Sequence, residues 1–365
     1  MELSLHQIIS FLNSKYPPQY QESWDNSGLL IDTNSPIKKA ITCLDCTMEV
    51  VNEAIEEKAN LIIAHHPLIF SGLKRIVDSD KTGQIVKKII QNNIAFYCAH
   101  TNFDSAAEGL NYHLAQKIGL MHTKVLEPLQ LQLYKLTTFV PDEYAEKVRS
   151  AMFSASAGDI GNYSSCSFNI NGTGTFLGQE DTNPFVGTPG KLHFEPEIRI
   201  ETIVEQRNVH KTIEEMKKAH PYEEVAYDLY PLHNELENVG LGRIGDLPYI
   251  MDEKTLVTYL RDKLNIETIA CTKGLGREIG KVAIVGGSGT SAIGSAIRQG
   301  ADALITGDLK HHTFVDHEKD LFLVDIGHYE SEKIAMNIFY DILTKKFPNF
   351  AVCISKTNLN PINYL

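Results

Sequence analysis

Three strand-like hydrophobic runs of this chain each lead into residues of the types that bind metal ions. Residues 61–64 lead into His65 and His66, residues 94–98 into His100 and Asp104, and residues 321–326 into His328 and Glu332. In an open α/β sheet, ligands collect at the carboxyl ends of the strands, where residues far apart in sequence converge. The pattern therefore predicts an α/β fold whose strand ends hold metal.

A weak internal repeat indicates the same fold class at both ends of the chain. The segments 40–43, 48–57 and 60–64 read as strand, helix and strand, and the segments 282–285, 291–299 and 301–306 repeat that order. At equal offsets from the start of each copy, His65 falls opposite Asp308. Two related βαβ-type halves are expected, with further helices at 83–91, 106–118 and 331–346.

The stretch from about residue 126 to residue 245 breaks this rhythm. It reads as strand 135–140, helix 143–154, strand 167–175, strand 197–204, helix 210–219 and strand 225–230. A doubled βαβ pattern with a loop-rich centre favours a small ferredoxin-like α+β domain. The sequence thus predicts a discontinuous α/β core, residues 1–125 and 246–365, with residues 126–245 inserted as a separately folded domain.

Composition narrows the functional classes. The formal net charge is −12, and no basic stripe is present that would neutralise nucleic-acid phosphates. The start of the chain lacks a signal-peptide pattern and no apolar run reaches the length of a membrane span, so a cytoplasmic protein that binds neither nucleic acid nor membrane is expected.

The six cysteines are poorly spaced for disulfides, and Cys43 with Cys46 lacks the second pair of a zinc site, so reduced thiols are expected.

The adjacent histidines His65 and His66 have two readings. Successive side chains on a strand point to opposite sides, which makes it difficult for both imidazoles to reach one ion. At a strand end the backbone turns and Pro67 keeps His66 extended, so the pair can serve two neighbouring ions. An isolated His-His pair is more often simply exposed or hydrogen-bonded.

The acidic candidates also have structural alternatives. Asp104 could cap a helix, but Ser105 and Glu108 supply an S-x-x-E capping box one residue later, which leaves the Asp104 carboxylate free to bridge two cations. His328 and Glu332 are four residues apart and share a helix face on which they can grip one ion. Alternatively, Glu332 merely complements the positive N-terminus of a helix.

The combined ligand set indicates the type of metal. Three histidines and two carboxylates suit Zn, Mn or Fe better than Ca or Mg.

His100 is a candidate for orienting a ligand or carrying a proton, or is a structural histidine. Asp308 and His312 are candidates for groups behind the ligands or beside the substrate. The glycine-rich residues 286–289 either cradle a phosphate at a helix N-terminus or, as we favour, form a plain tight turn.

The joint pattern His65-His66-Pro67, H-T-N-x-D at 100–104 and G-H-x-x-x-E at 327–332 resembles the GTP cyclohydrolase 1 type 2 or NIF-three-like family. The segments 24–28 (W-D-N-S-G) and 306–308 (T-G-D) are similar to further segments of that family. The resemblance implies a core of two related α/β halves, assembled as a ring-shaped homohexamer. It also implies a dinuclear metal site whose ligands are His65, His66, Asp104, His328 and Glu332.

The middle region, including the H-P-Y-E-E segment at 220–224, resembles the PII-like or CutA-like domain inserted in longer bacterial members. This segment could bind a small effector, although a plain connection from helix to strand is favoured.

Two cations bridged by Asp104 would lower the pKa of a shared water toward about 7, so hydrolysis is the expected reaction class. The family resemblance implies opening of the GTP imidazole ring with release of formate, with two divalent ions per subunit, Zn first and Mn or Fe as alternatives, and His100 as proton carrier. The alternatives are a dimetal phosphoesterase acting on a nucleotide-like small molecule and a non-enzymatic, metal-binding regulatory protein.

Overall fold

The computed structural model of the chain describes residues 3–33, 35–130, 132–357 and 360–363. Its strands are β1 (Gly28–Ile31), β2 (Lys39–Cys43), β3 (Leu61–Ala64), β4 (Ala95–Cys98), β5 (Met121–Pro128), β6 (Leu133–Pro141), β7 (Ser167–Leu177), β8 (Leu192–Glu205), β9 (Tyr227–Leu232), β10 (Gly240–Met251), β11 (Ala270–Cys271), β12 (Ile279–Ser288), β13 (Ala303–Gly307), β14 (Phe322–Asp325) and β15 (Ala351–Ile354).

The helices of the same residues are α1 (Leu5–Lys15), α2 (Met48–Glu56), α3 (Lys81–Gln91), α4 (Thr101–Ser105), α5 (Leu110–Lys117), α6 (Asp142–Ser154), α7 (Val209–Ala219), α8 (Glu253–Leu264), α9 (Ile293–Arg298), α10 (His311–His317), α11 (His328–Glu332) and α12 (Ala335–Lys346). None of the helices in the described part of the chain combines the length and the apolar character that a membrane span requires.

The chain divides into two compact units, a larger one of residues 1–128 with 237–365 and a smaller one of residues 129–236. The predicted boundaries at 126 and 245 differ from this division. Residues 126–128 end β5 and residues 240–245 begin β10, and these two strands pair within the larger unit. The sequence patterns predict neither of these strands, so the pairing that places residues 126–128 and 240–245 in the larger unit is not visible from them.

The larger unit contains two sheets, which fits the predicted α/β class. The first has the order β1-β4-β3-β2-β15 and the second has the order β11-β14-β13-β12-β10-β5. Strands β4, β3, β2 and β15 of the first sheet are parallel, and so are β14, β13 and β12 of the second. Parallel strands require crossover connections, and the helices between them supply these.

The strands are buried on both faces, and their side chains alternate between two apolar layers. Leu61 and Ile63 of β3 lie in one cluster with Ile284 and Ile305 of the second sheet, together with residues of α1, α4, α5, α8 and α12. Ile62 lies in a separate cluster with residues of α2 and α3. A layer of helices therefore packs between the two sheets, as the unbroken hydrophobic runs of these strands require.

The two halves follow the same order of elements, starting with β2 in one and β12 in the other. The order is strand, helix, strand, helix, strand, short helix, longer helix and strand. Each half gives its last strand to the sheet of the other half. β5 of the first half pairs with β10, and β15 of the second half pairs with β2. The exchange joins the N-terminal and C-terminal parts of the chain into one core.

Two predicted helices differ from the structure. The helix expected over 331–346 is α11 followed by α12, and the one expected over 106–118 begins later, as α5, after the short helix α4 has ended. The S-x-x-E capping box at Ser105 is not formed, because Ser105 ends α4 and Gly109 precedes α5 without a side-chain cap. A Cβ on Gly109 would lie 1.8 Å from the Phe103 carbonyl oxygen, so the tight turn between the two helices requires a glycine there.

A buried arginine holds the break between α4 and α5. The Arg243 guanidinium donates through Nη2 to the carbonyls of Ala106 and Ala107, and through Nη1 to those of Gly240 and Gly242. Burial lowers its pKa to about 10, so the group remains charged at neutral pH. The cation therefore satisfies carbonyls at the end of α4 from a strand far away in sequence.

The smaller unit is a four-stranded antiparallel sheet of order β7-β8-β6-β9. Its elements follow the β-α-β-β-α-β order of a ferredoxin-like domain, with α6 and α7 packed on one face. β7 and β8 run beyond their predicted ends, pairing as far as Leu177 with Leu192. His220 at the end of α7 contacts the Phe139 carbonyl and accepts from the Tyr222 amide, and these contacts fix the connection from helix to strand.

We expect the larger unit to fold without the smaller one. Pro128 and Gly240 are partners on adjacent strands, so when residues 129–236 are deleted the remaining residues 237–239 can form the turn between them. A deletion of residues 126–245 serves as the comparison, because it also removes Arg243 and the paired ends of β5 and β10. It should lower the melting temperature strongly or abolish the cooperative unfolding transition. Circular dichroism melting compares the two proteins; equal stability, or an unfolded 129–236 deletion, would contradict this division of the chain.

Candidate metal centre

The residues that the sequence predicts as ligands lie together within the larger unit. Glu332 Oε2 is 2.8 Å from His66 Nε2 and 2.9 Å from His328 Nε2, and Glu332 Oε1 is 3.5 Å from His65 Nε2. His65 Nε2 is also 3.7 Å from Asp104 Oδ1. The histidine pair after β3 and the His/Glu pair of α11 therefore meet, although more than 260 residues separate them.

His100 belongs to the same cluster. One ligand atom of each of His65, His66 and His100 lies within 4.8 Å of the others, and the same holds for His66, His328 and Glu332. His66 is common to both groups. The sequence predicts His100 as a proton carrier, whereas its position among the imidazoles also makes it a potential ligand.

The backbone after β3 explains how two successive histidines reach one cluster. The His65 amide donates to the Cys43 carbonyl and the His66 amide to the Leu44 carbonyl, so the parallel ladder continues past the end of the strand. His65 is completely buried, whereas His66 remains partly exposed at the mouth of the cluster. The two imidazoles lie 5.0 Å apart between ring centres.

Each imidazole of the cluster is held through Nδ1 by an oxygen acceptor. The pairs are His65 with the Ala99 carbonyl at 2.8 Å, His66 with Asp45 at 2.8 Å, His100 with Asp25 at 2.8 Å and His328 with Asp308 at 2.6 Å. When Nδ1 donates a proton in this way, the Nε2 lone pair of a neutral imidazole is free to bind a metal ion.

The orienting acids differ in how far the sequence points to them. Asp308 was a candidate for a group behind the ligands, and its contact with His328 fits that role. Asp25 lies in the segment similar to the family, but its pairing with His100 is not visible in sequence. Asp45 was not predicted from the sequence. The feature that could have indicated it is its place just beyond β2, since the histidines also follow the ends of strands.

Two buried polar atoms of the cluster have no hydrogen-bond partner. These are His65 Nε2 and Asp104 Oδ1, which face each other at 3.7 Å. Leaving a buried polar atom unpaired costs roughly 1–3 kcal/mol, and more for a charged group. A cation between them would satisfy both atoms, so the residues present fit a metal ion.

Two histidines of the metal-free cluster, His66 and His328, retain their protons at neutral pH. Burial disfavours a charge on His66, but hydrogen bonds to Asp45 and Glu332 outweigh burial and raise its pKa to about 10. The hydrogen bond to Glu332 raises the pKa of His328 to about 9 against the effect of burial.

The two buried carboxyl groups behave in opposite ways. Burial disfavours the charge of Glu332, yet its contacts with His65, His328 and His66 hold its pKa well below the usual range. Burial and the charge of Glu332 raise the pKa of Asp104 well above normal. Of these two groups, Glu332 is therefore the charged one in the metal-free cluster, and its carboxylate contacts His65, His66 and His328. Bridging of two cations by Asp104 stays a prediction.

The weaker candidates have other positions. The amides of Gly286, Gly287 and Gly289 donate to Asn111, Ser331 and Thr306, so they are already paired and do not form a phosphate cradle. Gly287 has φ +63°, and a Cβ there would lie 2.3 Å from Glu332 Oε1; the glycine makes room for the carboxylate. His312 is exposed on α10, where its ring contacts His311.

The family profile described as Duf34/NIF3 (NGG1p interacting factor 3) matches residues 3–361. The chain belongs to the Duf34/NIF3 family. The resemblance indicated by the His-His-Pro, H-T-N-x-D and G-H-x-x-x-E motifs is thereby confirmed.

Similar proteins support the family assignment over the full length. Proteins named GTP cyclohydrolase 1 type 2 homolog are 43% identical in Halalkalibacterium halodurans, over 88% of this chain and 87% of that protein, and 40% identical in Bacillus subtilis, over 98% of both. The solved structure of a Bacillus cereus protein related to NIF3 has a TM-score of 0.84 at 40% identity and covers 99% of this chain and 98% of its own. A Staphylococcus aureus structure has a TM-score of 0.77 at 30% identity, covering 100% and 99%.

We expect Zn²⁺ binding to the metal-free protein at pH 7 to release protons. The pKa values of His66 (about 10) and His328 (about 9) and that of Asp104 are all raised, so a cation must displace protons from these groups. Because the protonated forms become scarcer as pH rises, the apparent affinity should increase from pH 6 toward pH 9. Titration calorimetry in buffers of different ionisation enthalpy measures the release. Heats independent of buffer, with an affinity that does not change with pH, would contradict the expectation.

Proposed function

We propose that this protein is a metal-dependent hydrolase with two divalent cations per subunit, held by His65, His66, Asp104, His328 and Glu332. The observation that carries the proposal concerns two buried atoms, His65 Nε2 and Asp104 Oδ1. They have no hydrogen-bond partner, and they face each other among imidazoles whose orientation is fixed. The group of His66, His328 and Glu332 supports one ion, and the facing atoms of His65 and Asp104 support the second. The imidazole and carboxylate ligands favour Zn, with Mn or Fe as alternatives.

The bound cations would act as Lewis acids and lower the pKa of a bound water to near 7. The protein's own groups would orient and move protons. Asp25 holds Nδ1 of His100, which leaves Nε2 as the ring nitrogen from which a proton can be transferred. The half-buried position of His100 beside His65 and His66 places this nitrogen at the edge of the cluster.

We propose ring opening of GTP as the reaction, motivated by the name of the Halalkalibacterium and Bacillus relatives. The reaction consumes two water molecules, breaks the two C–N bonds to one carbon of the imidazole ring and releases that carbon as formate. The arrangement of an activated water beside a proton carrier supports hydrolytic chemistry of this kind.

A regulatory role of the smaller unit is a second candidate. We propose that this unit is a PII-like or CutA-like domain that binds a small effector, supported by its β-α-β-β-α-β order and by a cavity of about 560 Å³ lined by Phe139, Phe176 and Tyr222. The homohexameric ring implied by the family resemblance is likewise a proposal. The deletion of residues 129–236 separates the two roles, because an enzyme should keep its turnover while an effector response is lost.

Loss of either central carboxylate should remove the metal. We expect Asp104→Asn and Glu332→Gln to lose both ions, because each change takes a charged oxygen ligand from a shared cluster. Asp262→Asn, altered on the exposed side of α8, is the matched control and should retain the metal content of the wild type. Elemental analysis of the folded proteins gives the ion count, and full occupancy in either cluster variant would contradict the ligand assignment.

The reaction is tested by formate release from GTP. Metal-replete protein should produce formate with Zn, Mn or Fe, and His100→Gln should slow it about a hundredfold while the metal content stays unchanged. His210→Gln is the control, since the His210 side chain is 93% exposed on α7. If no metal at any pH yields formate, GTP ring opening is wrong; phosphate release from nucleotides under those conditions would favour the phosphoesterase alternative.

A further inference from the structure

Two large aromatic side chains lie exposed beside the metal centre. Trp24, the one tryptophan of the chain, is 54% exposed, and Phe70 is 53% exposed. The Trp24 ring lies 6.0 Å from the His100 ring, edge to face, and 5.7 Å from the Phe70 ring at an angle of 31°. An indole and a phenyl ring therefore form a tilted pair at the edge of the histidine cluster.

Hydrogen bonds hold the two chain segments that carry the aromatic rings. Asp25, the residue after Trp24, has a fully buried carboxylate that accepts from His100 Nδ1 and from the amide and hydroxyl of Thr101. Asn26 Nδ2 donates to the Ile69 carbonyl at 2.6 Å, next to Phe70. The segments that carry the two rings are thus tied to each other and to His100, so little ordering is required when a ligand binds.

We propose that Trp24 and Phe70 form a stacking platform for a flat heteroaromatic ring of the nucleobase type, and so determine the class of ligand that reaches the metal centre. This inference rests on the proposed function, which it deepens by naming the part of the substrate that is recognised. An exposed aromatic pair fixed in position gains contact area when a planar ring covers it, and stacking tolerates any base because every base has a π-face.

The protein groups around the aromatic pair match a planar ring better than a phosphate. The amides of Gly286, Gly287 and Gly289 already donate to protein groups. The side chains around His100 and His66 include the carboxylates of Asp25 and Asp45. The aromatic pair is the feature at this edge that matches a planar, uncharged group.

The single tryptophan makes a direct test available. Guanosine, which has the ring but no phosphate, should change Trp24 fluorescence saturably in the full-length protein, whereas ribose 5-phosphate should not. Phe70→Leu should weaken guanosine binding about tenfold. Phe194→Leu, which alters a phenylalanine that is 61% exposed in the smaller unit, is the matched control and should leave binding unchanged.

Further measurements distinguish a failure of the stacking platform from a failure of the proposed hydrolase. Saturable quenching by guanosine in Asp104→Asn protein, which is expected to lack metal, supports the platform even if no hydrolysis is found. Formate release without any guanosine-dependent fluorescence change, or with unchanged affinity in Phe70→Leu, overturns the platform and leaves the hydrolase standing. A changed molecular mass of Phe70→Leu by light scattering, with guanosine affinity unaltered, would also overturn it, because the pair would then be a subunit contact.

Discussion

The Glu332 carboxylate is 2% exposed and contacts His65, His66 and His328, and the rest of the site depends on this interaction. A buried charge is costly unless it is paired, so the two chain segments that meet here are held in one geometry. His65 and His66 come from the end of β3, and Glu332 comes from α11. The acceptors behind the imidazoles fix the rings, and the same arrangement that neutralises Glu332 in the metal-free protein presents nitrogen and oxygen ligands to cations.

The exchange of strands between the halves makes this meeting possible. β15 completes the first sheet beside β2, and β5 completes the second beside β10, so neither half can close its sheet alone. The helices from both halves fill the layer between the sheets. The ends of β3 and β4 from one half and of β13 and β14 from the other thus supply the cluster, together with the short helices α4 and α11 that follow β4 and β14.

Local pattern was sufficient for much of this arrangement. The unbroken run Leu61–Ala64 is β3 with those bounds, and the spacing of His328 and Glu332 on one helix face holds in α11. Long-range contacts were not visible in the sequence. Arg243 supports the break after α4 by donating to the Ala106 carbonyl, and no hydrophobic periodicity indicates this contact. Asp45 was missed for the same reason, because its role appears only when its contact with His66 is known. The inserted segment was recognised by its change of rhythm, but its ends were placed inside paired strands of the core.

The most direct test of the account is anomalous X-ray scattering from crystals of the metal-replete protein, recorded above and below the absorption edge of the metal. The account predicts two anomalous peaks, one of them about 2.0–2.2 Å from both His65 Nε2 and Asp104 Oδ1. The absence of anomalous density at these atoms, with both of them satisfied by water or by rotated side chains, would contradict the claim that the buried cluster is built for cations.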